Sequence, residues 1–397
     1  MTAAASSRRS LFWASCSAMF LFGIVLAILG ALFGLPAMRM RLHADLVQQG
    51  DILFVLFLGV FASTILVGPV IDRYGNKIVL SVSGAATAAA LAGFAGVQSV
   101  SAASLYAFVL GFGGGGLNTA ANALIADVYP ERRAEMLNLV GTFFGVGAFF
   151  IPLLAASLAG RVTIPQLLAV AAALAALCTI AYLLLPFPPA AESSGFSMFA
   201  SVRAARIPGV VLLSFVLFFE SGNESAVGGW MSTYAGSAGL SPSIATWILA
   251  AYWAAMMIGR VISARIVERV RKETMVLASG IGSAIGMAIL LLDRSVVTLT
   301  IAGMILGLAF AAVYPTTLAI AGDRYQRNAG TIFGLLFAVG LLGGMSFPWA
   351  VGHISEAWGL RAGMALPLVG AAGIIGVILR ASRDIRQRGA EATSATR

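Results

Sequence analysis

The chain has 397 residues, of which 59% are hydrophobic and only 10% are charged, and its mean hydropathy is +0.94. These values exclude an ordinary soluble globular protein and predict an integral membrane protein embedded in a lipid bilayer. The net charge of +9 does not by itself indicate a nucleic-acid partner, because the sequence shows no soluble fold with a basic, aromatic-rich surface.

The first apolar segment follows Arg8 and Arg9. A basic pair before an apolar run resembles the start of a signal peptide, but the run over residues 11–35 is too long and lacks a small-residue cleavage site. We therefore predict a retained first helix. Further windows of about 20 apolar residues, enough to cross roughly 30 Å of hydrocarbon, follow along the chain. The twelve predicted helices cover residues 11–35, 51–71, 78–97, 102–126, 134–158, 164–186, 208–235, 243–267, 274–292, 296–321, 327–352 and 361–381.

A polar stretch separates the sixth window from the seventh. Residues 187–207 are rich in proline, serine and charge and form the one extended polar linker in the sequence. This predicts an N-terminal six-helix bundle over residues 1–186 and a C-terminal bundle over residues 208–397 that ends in a short basic tail. Nineteen of the 25 Lys and Arg residues lie on the side that holds both termini and the linker. The positive-inside rule then places both termini in the cytoplasm.

The two halves of the sequence contain an ordered repeat. Small, polar and acidic positions in the first half recur 196 residues later in the second half. The sequence thus predicts an all-α membrane protein of twelve transmembrane helices in two pseudo-symmetric six-helix bundles, an architecture of secondary transporters that bind substrate between the halves. The repeated positions are Gly111, Asn118, Asp127, Gly147 and Pro152, followed by Gly307, Tyr314, Asp323, Gly343 and Pro348.

The loop between the second and third predicted helices contains a recognisable motif. Residues 68–77 read Gly-Pro-Val-Ile-Asp-Arg-Tyr-Gly-Asn-Lys, with the acid at Asp72 and the arginine at Arg73. This stretch resembles the cytoplasmic loop signature of the major facilitator superfamily. The resemblance implies the major facilitator fold and alternating access to a central substrate site.

Further segments resemble the fucose/glucose branch of that superfamily, whose members take up sugars with protons or sodium. These segments cover residues 113–122, 138–152, 222–234, 252–265 and 314–316. Proton-coupled members of the branch carry a buried acid in the first helix and another in the fourth. Here the first helix has none, and the fourth has Asn118 and Asn122.

Glu220 and Glu224 lie inside the seventh apolar window, where a charged side chain costs at least ~2.5–3.5 kcal/mol. Their spacing of four residues puts both carboxyl groups on one helix face, roughly 6 Å apart. A shared proton or a bound Na⁺ would suit such a pair, so we expect Glu224, assisted by Glu220, to couple an ion and to contact substrate. The alternative is structural, with buried carboxyl groups bonded to backbone. The following Gly228-Gly229 predicts a weakened, broken helix.

Substrate binding is expected from amides and aromatic rings near the middle of the membrane. Asn118 and Asn122 share one face of the fourth helix and offer the donors and acceptors that sugar hydroxyls need. The rings of Trp230, Tyr252 and Tyr314 could stack on a sugar. In each case the alternative is ordinary helix packing.

A set of charged residues is expected to act in gating. Arg260 is the one basic residue placed within a predicted helix. Together with Asp72, Arg73, Asp127 and Asp323 at the cytoplasmic helix ends, it could form ion pairs that open and close as the halves move.

No enzyme site emerges from the sequence, because His43 and His353 are isolated from any nucleophile or metal-ligand pattern. Cys16 and Cys178 lie in apolar runs, and no phosphate-binding glycine loop is present, so we expect no metal, cofactor, nucleotide or nucleic acid. The sequence therefore predicts an inner-membrane secondary transporter for a monosaccharide or related polyol. A receptor or scaffold without transport activity is disfavoured, because the sequence has no sizeable soluble domain to signal through, and the nearer alternative is another kind of carrier. That alternative is an efflux carrier for amphipathic or cationic compounds, which abundant Phe and Met would also suit.

Overall fold

The computed structural model describes residues 3–158, 160–189, 206–325 and 329–395, and these form an all-helical chain. Twelve of its helices contain a span long and apolar enough to cross a membrane. Short helices also form at Pro36–Leu42, Pro130–Arg132 and Leu360–Gly363. The long helices are α1 (Ala3–Phe33), α2 (Leu46–Tyr74), α3 (Asn76–Gly96), α4 (Val100–Val128), α5 (Arg133–Ser157), α6 (Ile164–Leu184), α7 (Pro208–Ser237), α8 (Pro242–Ile266), α9 (Lys272–Leu292), α10 (Val296–Arg324), α11 (Ala329–Trp358) and α12 (Leu366–Ala395).

The two membrane faces differ in how helices begin there. We call the face at which α1 begins and α12 ends the terminal face, and the opposite one the far face. Five helices that begin at the far face have a side-chain N-cap, which satisfies backbone N–H groups where the helix meets water. Several observed helices are longer than the windows predicted from the sequence. Their N-cap residues and first turns are polar, so windows chosen for their apolar residues leave these positions out. The capping residues are Asp45, Ser99, Thr163, Ser241 and Ser295.

Helix packing repeats between the N-terminal half (α1–α6) and the C-terminal half (α7–α12). In the first, α1 packs against α4 and α5, α2 against α4, and α3 against α4 and α6. Each of these pairs recurs six helices later, as α7 with α10 and α11, α8 with α10, and α9 with α10 and α12. Contacts between the halves follow the same symmetry, because α2 packs on α11, α8 packs on α5, and α1 meets α7 at the centre.

Repeated glycines explain how equivalent helices approach each other so closely. A Cβ at Gly147 would lie 1.9 Å from a carbonyl oxygen of α1, and one at Gly343 would lie 1.9 Å from a carbonyl oxygen of α7. Gly111 and Gly307 make the same approach to α2 and α8, with Cβ positions 1.9 and 2.2 Å from a carbonyl oxygen. Only glycine fits at such distances, so the repeated positions preserve helix contacts.

The predicted linker falls mostly outside the described residues, since residues 190–205 of the range 187–207 are not among them. The domain boundaries at 186 and 208 therefore remain a prediction.

The expected break in α7 is wrong. The helix runs without interruption from Pro208 to Ser237, through Gly228 and Gly229. A Cβ at Gly228 would lie 3.0 Å from the ring of Trp253, and one at Gly229 would lie 2.9 Å from Leu53. The glycine pair therefore makes room for neighbouring helices and does not unwind the backbone.

Candidate functional site

A cavity of about 270 Å³ lies between the two halves at mid-depth and toward the terminal face. Its walls come from α1, α2, α4 and α5 on one side and from α7, α8, α10 and α11 on the other. These are two sets of symmetry-equivalent helices. The remaining helices, α3, α6, α9 and α12, contribute none of the lining residues.

The polar part of the N-terminal wall is an amide pair on α4. Nδ2 of Asn122 donates to Oδ1 of Asn118 at 3.0 Å and to the Asn118 carbonyl oxygen at 2.9 Å. Both side chains line the cavity, so the remaining donors of Asn118 and the acceptor of Asn122 are available to a ligand. The arrangement matches the predicted placement of both residues.

The C-terminal wall is built by a polar stripe along α7. Ser221, Glu224, Ser225 and Gly228 recur at helical spacing and all line the cavity. Glu224 is partly exposed there. A partly hydrated carboxyl group at this position can accept hydrogen bonds from a solute or bind a cation.

Glu220 lies one helical turn from Glu224 and is fully buried. Its carboxyl group interacts with that of Glu224, yet neither oxygen of Glu220 has a well-formed hydrogen bond within the described part of the chain. Tyr252, Tyr314 and Arg260 are its other electrostatic neighbours. The two carboxyl groups are thus neighbours, with Glu224 facing the cavity and Glu220 behind it.

Arg260 lies in the cavity wall, whereas the sequence predicts that it acts in gating together with charged residues at the cytoplasmic helix ends. Its guanidinium carbon is 4.9 Å from the ring centre of Phe144, which belongs to α5 in the other half. One guanidinium nitrogen lies 3.9 Å from the sulfur of Met256, and Nε is buried without a hydrogen-bond partner among the described residues. The salt bridges in the described ranges do not include Arg260.

The predicted aromatic contacts divide into two groups. Tyr314 lines the cavity, with its ring 5.4 Å from that of Phe337. Trp230 is fully buried and its Nε1 donates to the Pro348 carbonyl oxygen at 3.0 Å, which holds α7 against α11. Tyr252 is also fully buried, and its hydroxyl donates to the backbone oxygen of Glu224 at 3.4 Å. Neither Trp230 nor Tyr252 is among the cavity-lining residues, so we reassign both to helix packing.

The predicted gating acids lie at the terminal face within their own halves. Asp127 accepts a weak bond from Asn76 Nδ2 at 3.5 Å, and Asp323 forms a salt bridge with Lys272 at the equivalent place of the second half. Arg73 is exposed and lies over the ring of its neighbour Tyr74.

Asp72, also at this face, is half-buried. The structure does not bring any of these acids to Arg260, so an ion-pair cluster joining the five predicted residues does not form in the described part of this structure.

The far face is closed by contacts between the halves. Gln49 Nε2 donates to Thr233 Oγ1 at 3.0 Å, and Ser243 Oγ donates to the Ala156 carbonyl oxygen at 2.8 Å. At the centre, a Cβ on Gly30 would lie 2.0 Å from the carbonyl oxygen of Gly228, so α1 and α7 touch through their backbones. A solute in the cavity is therefore separated from the far face.

Sequence reasoning missed several lining residues. Trp253 lines the cavity with its Nε1 buried and without a partner among the described residues, and its ring lies 6.0 Å from that of Phe144. The signal for it was available, since Trp253 and Arg260 are seven residues apart and share one face of α8. Thr64 of α2 was less visible, because a threonine in an apolar helix commonly bonds to its own backbone, as it does here with Val60.

Within the described ranges, no three His, Cys, Asp or Glu side chains are grouped so as to hold a metal ion.

Comparisons with known proteins extend over nearly the whole chain. The sequence profile of the Major Facilitator Superfamily matches residues 15–219 and 213–395. A relative, the sodium-dependent glucose transporter 1A of Mus musculus, is 24% identical over 336 residues, which cover 74% of this chain and 78% of the relative.

Solved structures of transporters share the fold. The D-xylose-proton symporter aligns with a TM-score of 0.78 at 13% identity and covers 94% of this chain and 97% of its own. A variant of the nucleoside transporter NupG aligns at 0.77 and 16% identity, with 95% and 99% covered. A bacterial homologue of the human lysosomal transporter Spinster, in an inward-facing and unoccupied conformation, aligns at 0.77 and 16% identity, with 95% and 97% covered.

Proposed function

Since this chain belongs to the Major Facilitator Superfamily, we propose that it carries a monosaccharide or a related polyhydroxylated solute across the membrane by alternating access. Members of this family are transporters of small molecules and not enzymes, and the twelve candidate spans make this chain a multi-pass membrane protein. Our proposal adds the class of solute, the coupling ion and the membrane in which the protein lies.

The observation that carries the proposal is the pairing of polar groups across the cavity. The amides of Asn118 and Asn122 lie on one wall, and Glu224 and Tyr314 lie on the other. Together they supply the mixed donors and acceptors that several hydroxyl groups of one solute require. The volume of about 270 Å³ is close to the lower limit of ligand pockets, roughly 300 Å³, which favours a single small solute.

The relatives support the same class of solute. One is a sodium-dependent glucose transporter and another is a D-xylose-proton symporter, by the names they carry.

We place the terminal face in the cytoplasm of a bacterial-type inner membrane. Nineteen of the 25 Lys and Arg residues fall on that side of the predicted topology, as expected for cytoplasmic loops and ends. With the far face closed, the cavity of this conformation would then be reached from the cytoplasm.

For coupling, we propose that Glu224 and Glu220 together bind the driving ion, H⁺ or Na⁺. Glu224 is the member of the pair that faces the cavity, so ion binding there can respond to the presence of solute. Glu220 lies behind it and interacts with it. In the sugar carriers that the sequence resembles, the proton-coupled members have buried acidic residues in the first and fourth helices. In our proposal the Glu220–Glu224 pair on α7 replaces those residues.

The test is solute uptake into membrane vesicles under imposed pH or sodium gradients. Wild-type protein should accumulate a monosaccharide against its gradient with one of the two ions. Glu224→Gln should lose accumulation but still bring the solute to equal concentrations on both sides. Glu268→Gln, which changes an exposed carboxyl between α8 and α9, should behave as wild type. Full accumulation by Glu224→Gln would show that the coupling assignment is wrong.

A second candidate is efflux of amphipathic or cationic compounds. The apolar lining favours it, because Met19, Phe22, Phe57, Phe144 and Phe337 surround the polar groups. Thermal unfolding of purified protein with a panel of monosaccharides and lipophilic cations separates the two candidates. Stabilisation by the sugars supports our proposal, and stabilisation by the cations alone overturns it.

A further inference from the structure

Arg260 forms no salt bridge with any residue that the structure describes, and the groups in direct contact with it do not match its chemistry. It is half-buried in α8, about two turns before the helix ends at Ile266. Its guanidinium faces an aromatic ring at 4.9 Å and a thioether sulfur at 3.9 Å, while Nε is buried without a hydrogen bond to any described residue. A cation at this depth is expensive unless an anion or polar acceptors accompany it.

A guanidinium group presents five N–H donors in a planar fork that fits two oxygens of one carboxylate or phosphate. Neither the ring of Phe144 nor the sulfur of Met256 can accept such a pair of bonds. The donors therefore point to a ligand that brings its own oxygens. Because Arg260 lines the same cavity as the amides of Asn118 and Asn122, one solute can contact both groups.

The titratable groups around Arg260 come from three helices. From α7 they are Glu220 and Glu224, from α8 Tyr252, and from α10 Tyr314. The lining residues of α1, α2, α4, α5 and α11 carry no charge. The charge of the cavity is thus set by one arginine and two carboxyl groups.

We propose that the transported solute carries a carboxylate on its polyhydroxylated body, as in a hexuronic or aldonic acid, and that Arg260 binds that carboxylate. This deepens the proposed function and rests on it. The hydroxyl groups of the solute then contact the amide pair on α4, and its acidic group contacts α8.

Charge balance supports a singly charged solute. A carboxyl pair that holds one proton carries one negative charge, which the one positive charge of Arg260 balances. Adding one carboxylate anion and one further proton leaves the cavity neutral again. Both the empty and the loaded forms then avoid a net buried charge, which is costly in a low-dielectric interior. A sugar phosphate, with about −1.5 to −2 charges, would leave the loaded cavity negative.

The binding test uses solutes that differ only at one carbon. D-Glucose, D-glucuronate and D-glucose 6-phosphate are titrated against purified protein, with D-galacturonate and D-gluconate as further acids, and tryptophan fluorescence is the readout. We expect at least one sugar acid to bind about tenfold more tightly than glucose, because charge-assisted bidentate bonds are stronger than neutral ones. The phosphate should bind more weakly than that acid.

Variants of Arg260 test whether this residue causes the difference in affinity between the sugar acid and glucose. Arg260→Gln should lower the affinity for the sugar acid about tenfold and leave glucose within about twofold, and Arg260→Lys should fall between. Arg265→Gln removes an exposed arginine further along the same helix and should change neither affinity. An Arg260→Gln protein that loses both ligands equally, with an unchanged unfolding temperature, would overturn the assignment to the acidic group.

A transport measurement tests the charge balance, and together with the binding results it separates failure of the carboxylate inference from failure of the proposed function. Uptake of the sugar acid driven by a pH gradient should be unaffected by a membrane potential set with potassium and valinomycin. If neutral sugars bind at least as tightly as every acid, the carboxylate inference fails and the monosaccharide proposal stands. If a potential drives uptake of the acid, the charge balance is wrong. If neither sugars nor acids bind, both proposals fail.

Discussion

Two tryptophans on neighbouring helices show how the surroundings decide a side chain's role. Trp230 of α7 is fully buried, and its indole N–H is bonded to the backbone of α11. Trp253 of α8 lines the cavity, and its indole N–H has no partner among the described residues. An indole donor without a protein partner beside a solute cavity is available to the solute. The same residue type thus packs two helices together in one place and lines the cavity in the other.

Removing each indole N–H tests this division. Trp253→Phe should weaken solute binding by roughly threefold to tenfold, because one net hydrogen bond contributes about 0.5–1.5 kcal/mol. Trp230→Phe should leave solute affinity within about twofold, yet lower the unfolding temperature, because the Pro348 carbonyl loses its donor. Ligand titration and thermal unfolding of both variants provide the measurement. Equal losses of affinity would return Trp230 to the substrate site.

At the scale of elements, α7 shows what a sequence can and cannot reveal. Its apolar character and its polar stripe at Ser221, Glu224 and Ser225 are readable from spacing. The continuity of the helix through Gly228 is not, because a glycine pair reads equally well as a break or as a packing site. Only the neighbouring ring of Trp253 and the backbone of α1 decide between them. The position of Arg260 was likewise readable, but three dimensions were needed to show that it forms no salt bridge with any described carboxylate.

The contact between α1 and α7 leads to a prediction about far-face closure. A Cβ at Gly30 would lie 2.0 Å from the carbonyl oxygen of Gly228, so Gly30→Val should force the two helices apart. We expect the far face to open, with faster modification of a cysteine placed at Thr233 by a membrane-impermeant reagent. Gly141→Val is the matched control, because no described atom outside the adjoining backbone of its own helix lies within 4 Å of the added Cβ. Labelling at the wild-type rate in Gly30→Val would show that this contact does not hold the face closed.

At the scale of the whole molecule, pseudo-symmetry organises both the halves and the contacts between them. The repeat of 196 residues predicted from a few positions is confirmed at equivalent pairs, such as Asp127 with Asn76 and Asp323 with Lys272. The fold was predictable because twelve apolar windows and one loop motif suffice for it. The residues that line the cavity were harder to predict. Contacts between helices that are distant in sequence decide which face of each helix turns inward. The contacts of α2 with α11 and of α8 with α5 are symmetry-related, which is the arrangement expected for halves that pivot about their shared interface.

Pivoting of the halves makes a last prediction about a covalent link at the far face. Gly50 of α2 and Gly352 of α11 meet there, since a Cβ on Gly352 would lie 3.1 Å from the Gly50 Cα. In a background without Cys16 and Cys178, cysteines at both glycines should form a disulfide on oxidation, after a small shift of α2 and α11 that relieves the 2.5 Å approach of the new Cβ at position 352 to the Leu46 carbonyl oxygen. The link should hold the far face shut and abolish uptake, and reduction should restore it.

A link within one half provides the control for that experiment. A Cβ on Gly84 of α3 would lie 3.5 Å from the Thr179 Cβ of α6, within the N-terminal half. Cysteines at these two positions should also cross-link, but uptake should continue, because a half that moves as a rigid body tolerates an internal bond. If the link between Gly50 and Gly352 leaves uptake intact, transport does not require these helices to separate. If the link within the N-terminal half blocks uptake, that half does not move as one body.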